Sequence, residues 1–537
     1  MPFGWPAAHP SVGVSDLALV LLVGSLVLLF SLVAVRISVH SRLPTLLLYL
    51  AIGVAIGESG LGIRFDDAEL TQVLGYSALV LILAEGGLTT RWSSVRRSVL
   101  PAAALSTVGV LVSVAVVGVA ARWLLGLPWE VALLVGAVLS STDAAAVFSV
   151  LRSVTLPRRL AGVLEAEAGF NDAPVVIAVT ALALRLVPGA EQDPWWMLAL
   201  HATWELVAGG TIGVAVGWVG ARVVRRYAGT SSTLFAIGIV AVCVLAYAAA
   251  ASLHVSGFIA TYLCGLVLGN ISLPHRPAVQ GFAEVCGSLS QVGLFVLLGL
   301  LASPGRLGGQ LWPALVVGLV LLVLARPLSV FVSMLPFRMG WRQQAFLSWA
   351  GLRGAVPVVL ATVPMTVGAP GTVWLFDLVF VLVAIYTLVQ APSLLWVARR
   401  LGLIESVRQR SVNVETTALD ELDADMLTVS VGEGSKLSGV EVFELRLPEG
   451  ANVTLVVRGG EAFVPTPGTH LRQGDQLLVV TTAASRAQTE ARIHAVSSHG
   501  RLAGWLSPDA SPGGSRHRRG VEGGPAFGDS VGGAARP

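Results

Sequence analysis

Charge is what this sequence has least of. Of 537 residues, only 12% are Asp, Glu, Lys or Arg, while 54% are hydrophobic. Soluble domains carry about 25% charged residues, so one soluble globular domain is excluded. Mean hydropathy is +0.77, and the apolar residues gather into runs long enough to cross a bilayer. That is the pattern of a polytopic helical membrane protein with the lipid bilayer as its solvent. Cysteine is nearly as scarce. Cys243, Cys264 and Cys286 are the only three. They show no metal-ligand spacing and read as small apolar fillers, and no cofactor is expected. The first sixteen residues hold no Lys or Arg, so they lack the basic segment of a cleavable signal, and residues 15–36 read as a retained span. No TVGYG-like filter is present, which counts against a gated cation channel. No Gly-x-Gly-Asp signature is present either. An intramembrane aspartyl protease would need two aspartates sharing one proton, so that enzyme reading is set aside. The net charge of +3 gives no footing for a nucleic-acid partner.

What is there reads as thirteen spans. They lie near 15–36, 43–61, 70–89, 99–121, 129–151, 159–184, 202–223, 231–251, 254–270, 284–302, 310–335, 344–366 and 373–398. Sixteen arginines fall in the loops after the odd-numbered spans up to the eleventh, and directly after the thirteenth. The opposite loops hold only Arg64, Arg122, Arg185 and Arg306. The positive-inside rule then places the C-terminus in the cytoplasm and the N-terminus outside, which requires an odd number of spans.

Residues 1–402 are therefore expected to form the membrane domain. Residues 403–412 read as a polar linker and 413–498 as a soluble α+β unit. In it MLTVSV (426–431), VTLVV (453–457) and QLLVV (476–480) read as strands, and Arg458-Gly459-Gly460-Glu461 suits a hairpin turn. Residues 499–537, rich in Gly, Pro, Ser and Arg, lack the apolar content that offsets ordering entropy and read as a disordered tail.

The chemistry lies where carboxylates interrupt apolar runs. The sixth span carries Glu165, Glu167, Asn171 and Asp172 in EAEAGFND. Counting from Arg159 at 1.5 Å per residue, Glu167 lies roughly 12 Å deep and Asp172 roughly 20 Å, past the middle of a ~30 Å core. A carboxylate there costs about 2.5–3.5 kcal/mol, so Asp172 is expected to face a partner or a wet cavity. Glu165 is near the span's end, where plain solvation suffices. In the fifth span, AVLSSTDAAAVFSV (137–150), Ser140, Ser141 and Thr142 suit a broken stretch of backbone. Asp143 there reads either as a cap at that break or as a second ligand. In the twelfth span, WAGLRGAVPVVLATVP (349–364), Gly351, Gly354 and Pro357 weaken the helix around Arg353. Arg353 sits at nearly the depth of Glu167, so the two are expected to form a structural ion pair. The fifth and twelfth spans run in opposite directions and are both interrupted mid-way. Paired broken helices of this kind point to a transport site at the crossing of two inverted repeats. Other polar groups carry less. Glu85 reads as a solvated helix end in preference to the lining of an entry funnel, Arg326-Pro327 as a kink with a snorkelling arginine, and Asp377 and Glu205 as lying near outer ends reached by water.

Several stretches resemble one family, the bacterial monovalent cation:proton antiporters, in particular sodium or potassium/proton exchangers with an Asn-Asp pair. They are LPTLLLYLAIGVAIG (43–57), LAEGGLTT (83–90), SSTDAAAVFSVL (140–151), LEAEAGFND (164–172), SGFIATYLCGLVLGN (256–270), LFVLLGLLASP (294–304), ARPLSVF (325–331), GLRGAVPVVLA (351–361) and IYTLVQAP (385–392). The resemblance implies that Asp172 takes cation and proton alternately beside Asn171. It implies that Thr142 and Asp143 add ligands for the monovalent cation, and that Glu167 pairs with Arg353. Where many relatives place Ser after the first Glu of the motif, this chain has Ala168. Residues 429–480 resemble the TrkA C-terminal (RCK-C) domain, which implies dimerisation and a nucleotide or other small ligand, and which favours potassium over sodium. A multi-pass protein of the cell (inner) membrane is the expected setting.

One carboxylate that holds either a proton or a cation enforces exchange. Burial favours the neutral acid, and a bound cation favours the carboxylate. Asn171 stands where a second acid would be needed to carry a further proton, so the expected exchange is one-for-one and electroneutral.

Overall fold

The computed structural model describes residues 14–500, except 42–43, 59, 61, 63–66, 144–146, 148–155, 190–193, 228–230, 272, 405–411, 420–423, 433–434 and 483–484. Most of the expected linker, nearly all of the tail and the far half of the fifth span lie outside the described residues. The chain divides into two units, Met1–Arg408 and Gln409–Pro537.

The first unit is helical. Its elements are α1 (Val14–Ser41), α2 (Thr45–Ile56), α3 (Ala68–Thr89), α4 (Val99–Leu124), α5 (Trp129–Val138), α6 (Arg158–Arg185), α7 (Trp195–Tyr227), α8 (Ser232–Ser252), α9 (Gly257–Asn270), α10 (Arg276–Leu301), α11 (Pro304–Phe337), α12 (Trp341–Trp349), α13 (Ala355–Thr366) and α14 (Val373–Arg400). Among the described residues nine helices are long and apolar enough to cross a membrane, and four shorter apolar helices join them. Together they match the thirteen expected spans. Several helices outrun the apolar stretch that marked them: α7 begins at Trp195, not 202, and α10 at Arg276, not 284. Once nucleated, a helix elongates until something caps it.

Small residues let backbones meet, as membrane packing requires. Gly53 of α2 and Gly299 of α10 face each other with no room for a Cβ on either, and Gly213 of α7 sits against Ala260 of α9. Three irregularities shape the centre of this unit. α5 leaves helical geometry after Val138, and α12 and α13 are separated by the non-helical Gly351–Gly354. α11 contains a π-helical turn at Leu321–Ala325, immediately before Arg326-Pro327. Where a kink is expected at Arg326 the helix carries a π turn, which shifts the helix face beyond it.

The described residues of the second unit form an antiparallel sheet of β1 (Val412–Leu419), β2 (Ala424–Val431), β3 (Ala451–Arg458), β4 (Glu461–Phe463) and β5 (Gln476–Thr482), in the order β1-β2-β5-β3-β4, with a 3-10 turn at Val442–Leu445 and the helix α15 (Arg486–His499). Gly459 and Gly460 both have positive φ (59° and 90°) and Arg458 pairs with Glu461. This is the two-residue hairpin that the Gly-Gly pair calls for. β1 is not among the expected strands, because VNVETTAL has no apolar run to mark it.

One pair of charges pins this unit's strand ends. Asp475 is fully buried and accepts hydrogen bonds from Arg458 Nε and Nη2 and from the Arg472 amide, each at 2.8 Å. Burial alone would raise the Asp475 carboxyl, but the Arg458 and Arg472 hydrogen bonds outweigh it and hold the carboxyl below its usual range. A carboxyl lowered in the fold adds stability above its unfolded value, and that stability is lost as pH falls through the folded value. D475N is expected to lower by roughly 5 °C the temperature at which protease cuts the 451–482 segment of the full chain at neutral pH. At a pH below the folded value the two proteins should be cut alike.

Candidate functional site

Two backbones out of helix meet at the centre of the first unit. The amide of Asp143 donates to the carbonyl of Leu352 at 2.8 Å, joining the break after α5 to the break before α13. Both breaks carry the residues expected to make them: Ser140-Ser141-Thr142 in one, Gly351 and Gly354 in the other. The orphan carbonyls at the end of α5 are collected by one cation, since Arg353 Nη1 donates to Ser140 O at 3.0 Å and to Ser141 O at 2.6 Å. A guanidinium there also meets the negative end of the half-helix dipole. On the other side, the Asp143 carboxylate lies over Gly354, where any Cβ would collide with it. It thereby faces the N-terminal end of α13, where backbone N–H groups favour an anion.

α6 crosses beside these breaks and presents Glu167, Asn171 and Asp172, all buried at 2%, 1% and 6% exposure. Pro174 lies inside this helix. Its missing N–H leaves the Phe170 carbonyl without an intrahelical partner and loosens the turn that carries Asn171 and Asp172. Asp172 Oδ1 accepts from Ser141 Oγ at 2.9 Å. Asn171 Nδ2 donates to Thr142 Oγ1 at 3.0 Å and to Ser140 O at 3.4 Å. Thr142 Oγ1 in turn donates to Glu167 Oε1 at 3.2 Å. Thr142 is thus engaged both as donor and as acceptor, with one lone pair left for any ligand. Asn171 Oδ1 is buried and has no hydrogen-bond partner among the described residues.

One expectation is corrected here. The ion pair of Glu167 is with Arg326, not with Arg353: Arg326 Nη2 lies 2.7 Å from Glu167 Oε1 and 3.0 Å from Oε2. Depth along the span cannot tell two arginines apart. The π turn in α11 aims Arg326 inward, and the carbonyls of Ser140 and Ser141 draw Arg353 away. Arg326 consequently does not snorkel; it is 5% exposed. Asp377 is also not washed by water. It is 2% exposed, and its Oδ2 accepts from Arg306 Nε at 3.0 Å.

The structure therefore brings together Thr142, Asp143, Glu167, Asn171, Asp172 and Arg353, and adds Ser141 and Arg326. Ser141 carries a sequence signal, as a hydroxyl inside the expected break. Arg326 carries one too, as a charge inside an apolar run beside a proline. Three carboxylates (Asp143, Glu167, Asp172) face two guanidiniums (Arg326, Arg353). With all five ionised the cluster holds one net negative charge, which a single proton or a single monovalent cation neutralises.

A family model described as "Sodium/hydrogen exchanger, transmembrane" matches residues 24–400, and the TrkA-C domain model matches residues 426–494. The K(+)/H(+) antiporter NhaP of Alkalimonas amylolytica is 36% identical over 469 residues, covering 86% of this chain and 81% of the relative. The K(+)/H(+) antiporter NhaP2 of Shewanella oneidensis is 35% identical, over 86% of this chain and 80% of the relative. Among solved structures, the sodium proton antiporter MjNhaP1 from Methanocaldococcus jannaschii at pH 8 shares the fold, with a TM-score of 0.60 at 22% identity. It covers 70% of this chain and 99% of that one.

Proposed function

This chain belongs to the sodium/hydrogen exchanger family, and from that premise we propose that Asp172 is the single acid at which a monovalent cation and a proton compete. Exchange of a monovalent cation for protons by a multi-pass membrane protein is the activity of the family, whose members are transporters and not enzymes. The observation that carries the proposal is the charge balance of the cluster. With Glu167 held by Arg326 and Arg353 held by backbone carbonyls, one negative charge is left over. Asp172 takes its described hydrogen bond from a serine hydroxyl rather than from either arginine.

In the proton-loaded state Asp172 is neutral and keeps its bond from Ser141. In the cation-loaded state the carboxylate meets the ion as substrate. Asn171 Oδ1 and the remaining lone pair of Thr142 are the neighbouring neutral acceptors, and Asp143 adds long-range attraction. Each loaded state is neutral overall and can cross the bilayer as the bundle moves between two access states. The empty state carries a charge that is costly in hydrocarbon. This difference suppresses leak and makes exchange obligatory. Potassium is the favoured cation, because the relatives that match over both units are named for it. We place the protein in the cell (inner) membrane with the C-terminal unit in the cytoplasm, from the arginine distribution. There the TrkA-C-like unit is suited to dimerise two copies and to take a small ligand such as a nucleotide.

One-for-one exchange is electroneutral. In liposomes fused to a solid-supported membrane, a potassium jump is expected to change the internal pH dye without a sustained current. A current that tracks the dye signal would reject that stoichiometry.

A further inference from the structure

Glu165, Gly169 and Asp172 of α6 lie four and then three residues apart, on one face of the helix. Glu165 is partly exposed, whereas Asp172, about two turns further on, is buried. Something covers the face between them, and it is Tyr262 of α9. A Cβ at Gly169 would overlap the ring carbons of Tyr262, so the ring rests on bare backbone. Phe170 meets the same ring edge-on, with centroids 5.5 Å apart and planes at 76°. The hydroxyl end of Tyr262 lies beside Thr90 and Glu165, and the residue is 2% exposed.

The two sides of α9 differ in kind. Toward α3 and α7 it is held backbone to backbone, through Gly265 and Gly269 against Gly87 and Leu88, and through Ala260 against Gly213. Toward α6 at this level it offers a single ring on a glycine. A ring held by packing and by one hydroxyl contact to Thr90 can leave by rotating its side chain, whereas the glycine seams cannot part without moving whole helices. We infer that Tyr262 closes the route from Glu165 to Asp172, with Gly169 as its seat. The inference rests on the reading of Asp172 as the ion site.

The test is the reaction of a thiol placed behind the ring. Ser141 is fully buried and touches Asp172, so S141C, in a full chain with Cys243, Cys264 and Cys286 replaced by Ala, reports access to the site. Inside-out membrane vesicles are treated with a small cationic methanethiosulfonate. Modification is expected to be slow with Tyr262 in place and about tenfold faster in Y262A and in G169A, whose added methyl takes the ring's seat. Y262F, which keeps the ring, should stay within about twofold of the parent. Parent-like rates in Y262A and G169A, or a rate in Y262F equal to that in Y262A, would overturn the inference. Should Y262A fail to insert, G169A against Y262F decides it alone. The readout needs no transport, so failure here is distinct from failure of the Asp172 assignment.

Discussion

D172N is expected to abolish cation/proton exchange in proteoliposomes, down to the rate of protein-free vesicles, while the protein inserts and runs at its normal size in detergent. Asn has nearly the shape of Asp, and its amide can still accept from Ser141 Oγ, so the local fold is kept. What it loses is the ability to take or release a proton, and with it the net charge that draws a cation into the cluster. The pH dye reports the loss, and size-exclusion chromatography reports the fold. Exchange retained at even a tenth of the wild-type rate, a barrier change of about 1.4 kcal/mol, would remove Asp172 from the centre of the account.

E167Q is expected to destabilise the membrane unit strongly, by more than the lost negative charge weakens cation binding. Glu167 and Arg326 are almost fully buried, with side-chain exposures of 3% and 6%. Breaking such a pair leaves an uncompensated charge and costs about 3–5 kcal/mol. The measurement is the thermal midpoint in detergent, read by fluorescence-detected chromatography. The double variant E167Q/R326M should recover much of the loss, because it removes the stranded cation as well. E167Q/R353M should recover none of it, and should fall further, since Arg353 holds the carbonyls of Ser140 and Ser141. Rescue by R353M instead of R326M would restore the pairing that depth alone suggests and contradict the one observed.

Much of the fold and the site is legible in the sequence, for identifiable reasons. Hydropathy marks where a helix must cross lipid, so the thirteen spans are accessible while helix ends such as those of α7 and α10 are not. Glycine, proline and hydroxyl residues inside apolar runs mark both breaks. An aspartate at mid-bilayer depth is too costly to be incidental, which singles out Asp172 and Asp143 without any geometry. The partner of Glu167 escapes a linear reading because depth is one coordinate and pairing needs three. Arg326 and Arg353 both reach the right level, and the choice depends on the π turn of α11 and on the carbonyls freed at the end of α5. The residues mark the irregularity at Arg326-Pro327 and the break at residues 140–142, but not which way each turns its arginine. Tyr262 is invisible for a similar reason: its place comes from a glycine on another helix.

The central claim is that proton and cation cannot share Asp172. It is tested most directly by adding potassium to the purified protein in weakly buffered detergent and reading proton release with a dye. The account predicts about one proton released for each cation bound, near the pH where the site titrates, and none from D172N. Potassium binding without proton release in the wild-type protein, or equal release from D172N, would contradict it.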